Sequence, residues 1–189
     1  MIVPAELLPH GVLLRILTAD DADALCRAQV TNRAHLRPWE PRRPERFFTV
    51  EGQAERIAVQ LKEFAEGRAV PWVLEKDGGI VGAFTLSGVV LGPFRNASLG
   101  YWVAADQQGR GLAGAAVGRV CAAARDVVGL HRVDACTLLH NRASQRVLAK
   151  NGFERFGMAP RYLHIDGEWR DHVLFQRILH DGAPPGGWA

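Results

Sequence analysis

Leu99-Gly-Tyr-Trp-Val-Ala-Ala-Asp-Gln-Gln-Gly-Arg-Gly-Leu-Ala-Gly114 is the stretch whose reading decides the fold. Leu99 to Ala104 are apolar and aromatic, the composition of a half-buried strand. Gln107 to Gly111 break that pattern with polar residues and glycines. From Gly111 onward Leu112, Ala116, Val120, Ala123, Ala124 and Val127 recur at helical spacing and predict one apolar helix face. A glycine-bearing loop that feeds a helix presents free backbone N–H groups and the positive end of the helix dipole. A pyrophosphate suits such a junction. The plain alternative is a strand-to-helix turn with glycines for tightness.

Gly109-x-Gly111-x-x-Gly114 also matches the dinucleotide fingerprint, with Asp134 at 134 − 114 = 20 residues further on, where a ribose-binding acid is sought. That fingerprint, however, places its first glycine at the strand end, whereas Asp106, Gln107 and Gln108 intervene here. No alternating series of strands and helices long enough for a doubly wound sheet follows. No Gly-Lys-Ser/Thr is present, which excludes a nucleoside-triphosphate P-loop.

At 189 residues the chain is long enough to bury a sizeable core. It reads as one domain over 1–180, and the Ala-Pro-Pro-Gly-Gly tail over 181–189 is expected to be disordered. A net charge of +3 suits anionic ligands without demanding nucleic acid, and no direct nucleic-acid binding is expected. Cys26, Cys121 and Cys136 lack CxxC spacing; they read as small hydrophobes in a reducing cytoplasm, and no metal site is expected. Glu6, His10 and Arg15 interrupt any signal-peptide core, and no apolar run is long enough to span a membrane.

Along the chain, Gly11 to Leu17 predicts a strand, and Thr18 with Asp21 an N-terminal cap for a helix through Ala22, Leu25, Cys26 and Val30. Asn32 to Pro41 reads as a loop, with Trp39 either covering the core edge or walling a substrate cleft. Thr49 caps the next predicted helix, whose Ala54, Ile57, Ala58, Leu61, Phe64 and Ala65 form a core-facing stripe that Gly67 stops. Pro71 to Leu74 and Ile80 to Leu86 form a hairpin about Lys76-Asp77-Gly78-Gly79, and with Ala97 to Ala104 they make an antiparallel meander. Val133 to Leu139 is a further strand, Asn141 starts a short helix closed by Asn151-Gly152, and Phe153 to Ile165 with Trp169 to Ile178 form a last hairpin.

Four stretches in series resemble one family. Gln108-x-x-Gly111-x-Ala113 is similar to the Q/R-x-x-G-x-G/A signature of the GNAT acetyltransferases, whose loop cradles the pyrophosphate of acetyl-CoA. Asn32 to Pro41 resembles the N-R-x-x-L-x-x-W segment of the RimJ/RimL-type ribosomal-protein N-terminal acetyltransferases. Asn141-x-x-Ser144-x-x-Val-Leu-x-Lys-x-Gly-Phe153 resembles their second cofactor segment, and Tyr162-Leu-x-Ile-x-Gly-x-Trp-x-Asp-His172 their closing hairpin. The resemblance runs from about Leu13 to Ile178 and implies an α/β GNAT fold, a mixed and mostly antiparallel sheet flanked by helices.

By position, the resemblance implies that Gln108, Gly109, Arg110, Gly111, Leu112 and Ala113 hold the pyrophosphate. Val103 would offer its backbone N–H to the thioester carbonyl, from a strand that splays away from its neighbour. Asn141 would bond the pantetheine arm, and Ser144 would act near the sulfur as general acid; simple capping of the short helix explains the same pair. Trp39, Glu40, Tyr162 and His172 would line the acceptor cleft. Members of the family often carry a glutamate just before the Leu-Gly-Tyr-Trp-like segment, where this chain has Ser98; Glu40, Glu168, Asp171, His172 or a water relay are then left as base. Arg33, Arg37, Arg42, Arg43 and Arg46, mixed with Glu40 and Glu45, read as a solvated face or as a surface for an acidic substrate.

The expected activity is acetyl transfer from acetyl-CoA to a primary amine in the cytoplasm. A protein N-terminus, a ribosomal protein first, is the expected acceptor, with a homodimer left open. The alternatives are a small-molecule amine acetyltransferase and a non-catalytic acyl-CoA-binding module.

Overall fold

A computed structural model of the chain describes residues 3–183, so 184–189 of the tail expected to be disordered lie outside the described residues. The alternation of the sequence becomes one sheet of eight strands. They are β1 (Glu6–Leu8), β2 (Val12–Ile16), β3 (Ala69–Lys76), β4 (Gly79–Val90), β5 (Asn96–Val103), β6 (Arg132–Leu138), β7 (Glu154–Ile165) and β8 (Glu168–Ile178). Their order is β1-β2-β3-β4-β5-β6-β8-β7, antiparallel throughout except for the β5–β6 pair. The meander is thus β3-β4-β5, and its first turn places Asp77 and Gly78 at positive φ, as a two-residue hairpin turn of the right twist requires. The last hairpin folds back so that β8, not β7, joins β6.

Five helices cover the two faces: α1 (Ala22–Thr31), α2 (Arg33–Leu36), α3 (Val50–Ala65), α4 (Leu112–Ala123) and α5 (Arg142–Lys150). Leu112, Ala116, Val117 and Val120 of α4 pack with Phe84, Leu86 and Leu99 on one face, joined by Leu148 of α5. On the other face Leu25 and Ala28 of α1 and Ile57 of α3 pack against Val73, Ile80 and Trp102. Each fully buried side chain of this kind contributes about 1.5–3 kcal/mol. Caps fall where the sequence places them: Thr18 and Asp21 form a reciprocal capping box ahead of α1, and Thr49 accepts the Gly52 N–H at the start of α3.

Three local expectations are corrected. Ile57 is buried and Leu61 and Phe64 are partly so, but Ala54, Ala58 and Ala65 face solvent. Gln53 takes the inward position instead, donating its amide to the Phe47 carbonyl, so a polar side chain anchors the loop that precedes α3. Val127 is exposed because Ala124–Val128 winds as a π-turn, which widens the helix and shifts the apolar face before Gly129 (φ 75) turns Leu130 into the core. The Asn32 to Pro41 loop contains a turn of helix, α2.

Beneath α1 a cation is held by two acids: Arg15 pairs with Asp21 at 2.7 Å and with Glu75 at 2.6 Å. Burial alone would raise the Asp21 carboxyl, but hydrogen bonds from Arg15 and Thr18 outweigh it and hold it below the ordinary 3.8. A carboxylate depressed in this way stabilises the fold above its unfolded pKa and loses that contribution as pH falls through the folded one. Asp21→Asn is therefore expected to lower stability by about 2 kcal/mol at pH 7. Urea titrations over a pH series check this: the gap between wild type and variant should close as pH drops below 3.8.

Candidate active site

The sheet opens at its centre. β5 and β6 are paired only from Asn96↔Arg132 to Ser98↔Asp134. Beyond that point β5 stays with β4 as far as Gly82↔Val103, while β6 stays with β8 as far as Leu138↔His172. The Ala104 N–H donates to the Val81 carbonyl on the β4 side at 2.8 Å, so strand alternation turns the Val103 N–H toward the open side. Asp134 sits at the closed end of this wedge, bonded by Arg132 Nε at 2.6 Å and Asn96 Nδ2 at 2.8 Å, and is spent on structure rather than aimed at a ribose. Ser98 stands beside it, with its carbonyl accepting from Ser87 Oγ.

β5 runs straight into the glycine loop. Gly109 (φ 73) and Gly111 (φ 76) adopt left-handed conformations, and nothing lies within 4 Å of where their Cβ atoms would be. The requirement there is conformational, not steric crowding. Gln108, Gly109, Arg110 and Gly111 are exposed, Leu112 is buried as an anchor and Ala113 is half-buried. No side chain caps α4, so its first amides have no intrahelical partner and face the loop.

Three side chains from the N-terminal half of the chain hold this loop. His10 Nε2 donates to the Arg110 carbonyl at 3.2 Å, Gln108 Nε2 donates to His35 Nε2 at 3.1 Å, and Asn32 Oδ1 accepts the Ala105 N–H at 2.9 Å. Sequence reasoning noticed the segment that Asn32 begins but not this bond, which joins residues 73 positions apart.

Across the wedge, Asn141 caps α5 by accepting the Ser144 N–H at 3.1 Å. The Ser144 hydroxyl lies 2.7 Å from the Tyr101 hydroxyl. Tyr101 stacks on Phe84 with ring centroids 5.2 Å apart, and burial pushes its phenol up to about 12 against the opposing effect of the Ser144 bond. Both hydroxyls therefore keep their protons at neutral pH. Tyr101 is a site residue the sequence reading missed, although its signal was present: it lies two positions before Val103 on an alternating strand. Thr137, on the stretch of β6 that has left β5, buries a hydroxyl with no partner among the described residues. An unpaired buried hydroxyl costs about 1–3 kcal/mol, so the opening fits a ligand with a polar arm such as pantetheine.

On the α1–α3 side two cavities of about 290 and 300 Å3 share a wall of Gln29, Leu36, Glu40 and Arg43. Trp39, Arg56, Thr85 and Tyr101 further line the larger. Burial raises the Glu40 carboxyl above its ordinary value, although Arg43 and Arg56 pull it back. Trp39 also packs on His140 at 5.4 Å, which brings this wall against the start of α5. Asp166, at the tip of the β7–β8 hairpin, takes Arg37 at 3.2 Å and Arg42 at 3.4 Å and clasps the loop from outside. The rest of the arginine cluster is similarly paired, Arg33 with Glu45, Arg43 with Glu40 and Arg46 with Glu55, as a solvated face would be.

Tyr162 and His172 pack on each other at 5.5 Å, and neither lines the two cavities. His172 is buried, with Nδ1 at the Arg170 carbonyl. Asp171 accepts the Arg161 N–H, and Glu168 pairs with Arg170. Of the carboxylates considered as base, Glu40 is the one that lines a cavity among the described residues. Among those residues there is also no group of three or more His, Cys, Asp or Glu placed to hold a metal, and no helix long and apolar enough to cross a membrane.

The family described as the acetyltransferase (GNAT) domain matches residues 12–154. The ribosomal protein uS5-alanine N-acetyltransferase of Escherichia coli is 34% identical over 177 residues, 92% of this chain and 90% of the relative. The crystal structure of ribosomal-protein-S5-alanine acetyltransferase from Vibrio fischeri superposes with a TM-score of 0.92 at 31% identity, covering 96% of this chain and 100% of that one. Mycobacterium smegmatis RimJ, solved in complex with CoA-disulfide, gives a TM-score of 0.85 at 36% identity, over 88% of this chain and 81% of that one.

Gly111→Ala tests the loop. Forcing a Cβ into the left-handed region costs about 1–2 kcal/mol. With open space around it, that strain should appear as a matching loss of stability in urea titrations, while the far-UV spectrum stays unchanged.

Proposed function

This chain belongs to the GNAT acetyltransferase family, and we propose that it acetylates the α-amine of a protein N-terminus, with an alanine-started ribosomal protein as its first acceptor. One observation carries the reading: the wedge between β5 and β6 has the uncapped glycine loop at its mouth and a cavity holding the half-buried Glu40 carboxylate on its other side. The named activity of the 34% identical relative supports the choice of acceptor. Acetyl-CoA and ribosomes meet in the cytoplasm, where this reading places the enzyme.

When bound, acetyl-CoA supplies a thioester whose carbonyl carbon takes the amine and whose sulfur departs. The backbone N–H groups of Gln108 to Ala113 receive the pyrophosphate at the positive end of α4. The Val103 N–H faces the gap and polarises the thioester carbonyl. Asn141 keeps its Nδ2 for the pantetheine arm while its Oδ1 caps α5, so capping and binding coexist. Glu40 takes a proton from the acceptor nitrogen as the C–N bond forms and the C–S bond breaks. The hydroxyl pair of Ser144 and Tyr101 returns a proton to the leaving sulfur. A thiol of pKa near ~8.5 leaves readily even without that proton, so Ser144 assists rather than decides. An α-amine, with pKa about 8 against about 10.4 for lysine, needs less help to reach its neutral form, which suits a site with one modest carboxylate.

Glu40→Gln is expected to lower kcat by roughly 10²-fold on an Ala-started peptide. In the wild type kcat should fall as pH drops through the raised Glu40 value, because protonation removes the base. The variant should lose that acid limb. A thiol-release assay across pH with free and N-blocked peptides checks both the limb and the acceptor. Turnover that survives blocking of the α-amine would refute the N-terminal reading.

A further inference from the structure

Two polar side chains in the larger cavity are left over from the chemistry above. Gln29, on α1, is 2% exposed and belongs to the wall shared by both cavities. Its carboxamide makes no hydrogen bond to another group among the described residues. Gln53, one layer behind, shows the contrast: it spends its Nε2 on the Phe47 carbonyl and its Oε1 on Arg56. Arg56 is itself half-buried, lies 5.5 Å over the Phe47 ring and bonds Gln53 Oε1 at 3.3 Å through one nitrogen. A guanidinium has five N–H donors and no acceptor, so most of its capacity remains unspent. Burial and the neighbouring Arg43 lower its pKa, and Glu40 on the same cavity wall opposes them.

A carboxamide and a guanidinium that line the cavity with unspent hydrogen-bonding capacity are available to whatever ligand enters it. Their chemistry says what that ligand carries. Arg56 can only donate, so it asks for an oxygen. Gln29 offers both N–H and C=O, the same pair of groups a peptide unit presents, and pairs best with another amide. A simple alkylamine offers neither.

We infer that Gln29 and Arg56 read the first peptide linkage of the acceptor, Arg56 donating to the carbonyl of residue 1 and Gln29 accepting the N–H that follows it. This rests on the N-terminal reading above and adds to it a physical reason for preferring a peptide over a small amine. Glu40 shares a wall with Gln29, so the amine and the linkage next to it are met by adjacent groups.

The test uses the full chain, acetyl-CoA and three acceptors. These are an Ala-started peptide, its analogue with an ester in place of the first peptide bond, and free alanine. The ester keeps the carbonyl and loses the N–H. Wild type should favour peptide over ester by roughly tenfold in kcat/KM, the value of one hydrogen bond. In Gln29→Leu that ratio should fall to about one. In Arg56→Met both acceptors should lose kcat/KM by a similar factor and the ratio should persist. A retained CoA affinity certifies that each variant is folded, and the wild-type ratio is informative even if a variant is not. The inference is overturned if wild type treats peptide and ester alike, or if Gln29→Leu keeps the preference. Peptide turnover with no such preference sinks this inference alone, whereas free alanine outperforming the peptide sinks the N-terminal reading with it.

Discussion

A parallel strand pair that stops early is the constraint on which the rest of the molecule depends. Backbone donors and acceptors that leave a ladder must find other partners or pay desolvation. β5 and β6 part after Ser98 and Asp134 while each keeps its outer partner, β5 with β4 and β6 with β8. The helices that follow the two strands then begin on either side of the gap, α4 from the glycine loop and α5 from Asn141. Further along, Gly118 of α4 faces the end of α5, where a Cβ would lie 3.2 Å from Asn151 Oδ1. Strand opening, helix starts and close helix contact are one arrangement, and it produces a slot lined with unused N–H groups.

The other face answers a different need. An amine must lose its proton before it can act as a nucleophile, yet a carboxylate in water is a weak base. Partial burial of Glu40 after α2 raises its basicity, and Arg43 and Arg56 temper the rise. On the proposed reading, the acceptor groups come from α1, the segment after α2, and α3, while the donor loop and Ser144 lie at the starts of α4 and α5. Tyr101 touches both sides, since it lines the acceptor cavity and bonds Ser144.

Patterns that repeat within a short window were legible in the sequence. The apolar strands β3, β4 and β5, the Asp77-Gly78 turn, the Thr49 cap and the glycine loop all rest on local chemistry, and each appears where the residues place it. Facts that depend on partners distant in the chain were not. Nothing in Glu154 to Ile178 says that β8 will lie inside β7, because that choice is made by pairing with β6. The α3 stripe misled for a related reason: alanine is compatible with either side of a helix, and the buried Gln53 shows which side the neighbouring loop required. At the site, the loop and Ser144 were legible as motifs. Tyr101, Thr137 and Gln29 were not, because an isolated hydroxyl or amide acquires meaning only from what lies beside it in space.

Asn32 has a consequence for how this enzyme can change over generations. Its carboxamide closes α1 by donating to the Ala28 carbonyl and fastens the donor loop by accepting from Ala105, while the next residue opens the helix that carries the acceptor wall. On the proposed reading, a replacement there would disturb the cofactor loop and the acceptor wall at the same time, so a change of acceptor made at this position would carry a penalty on the shared donor. The residues free to drift toward new substrates are those with a single allegiance, such as Arg37 and Arg42 at the rim. Diversification of this scaffold is therefore channelled to the edge of the cavity, and its hinge point is held still by serving two masters.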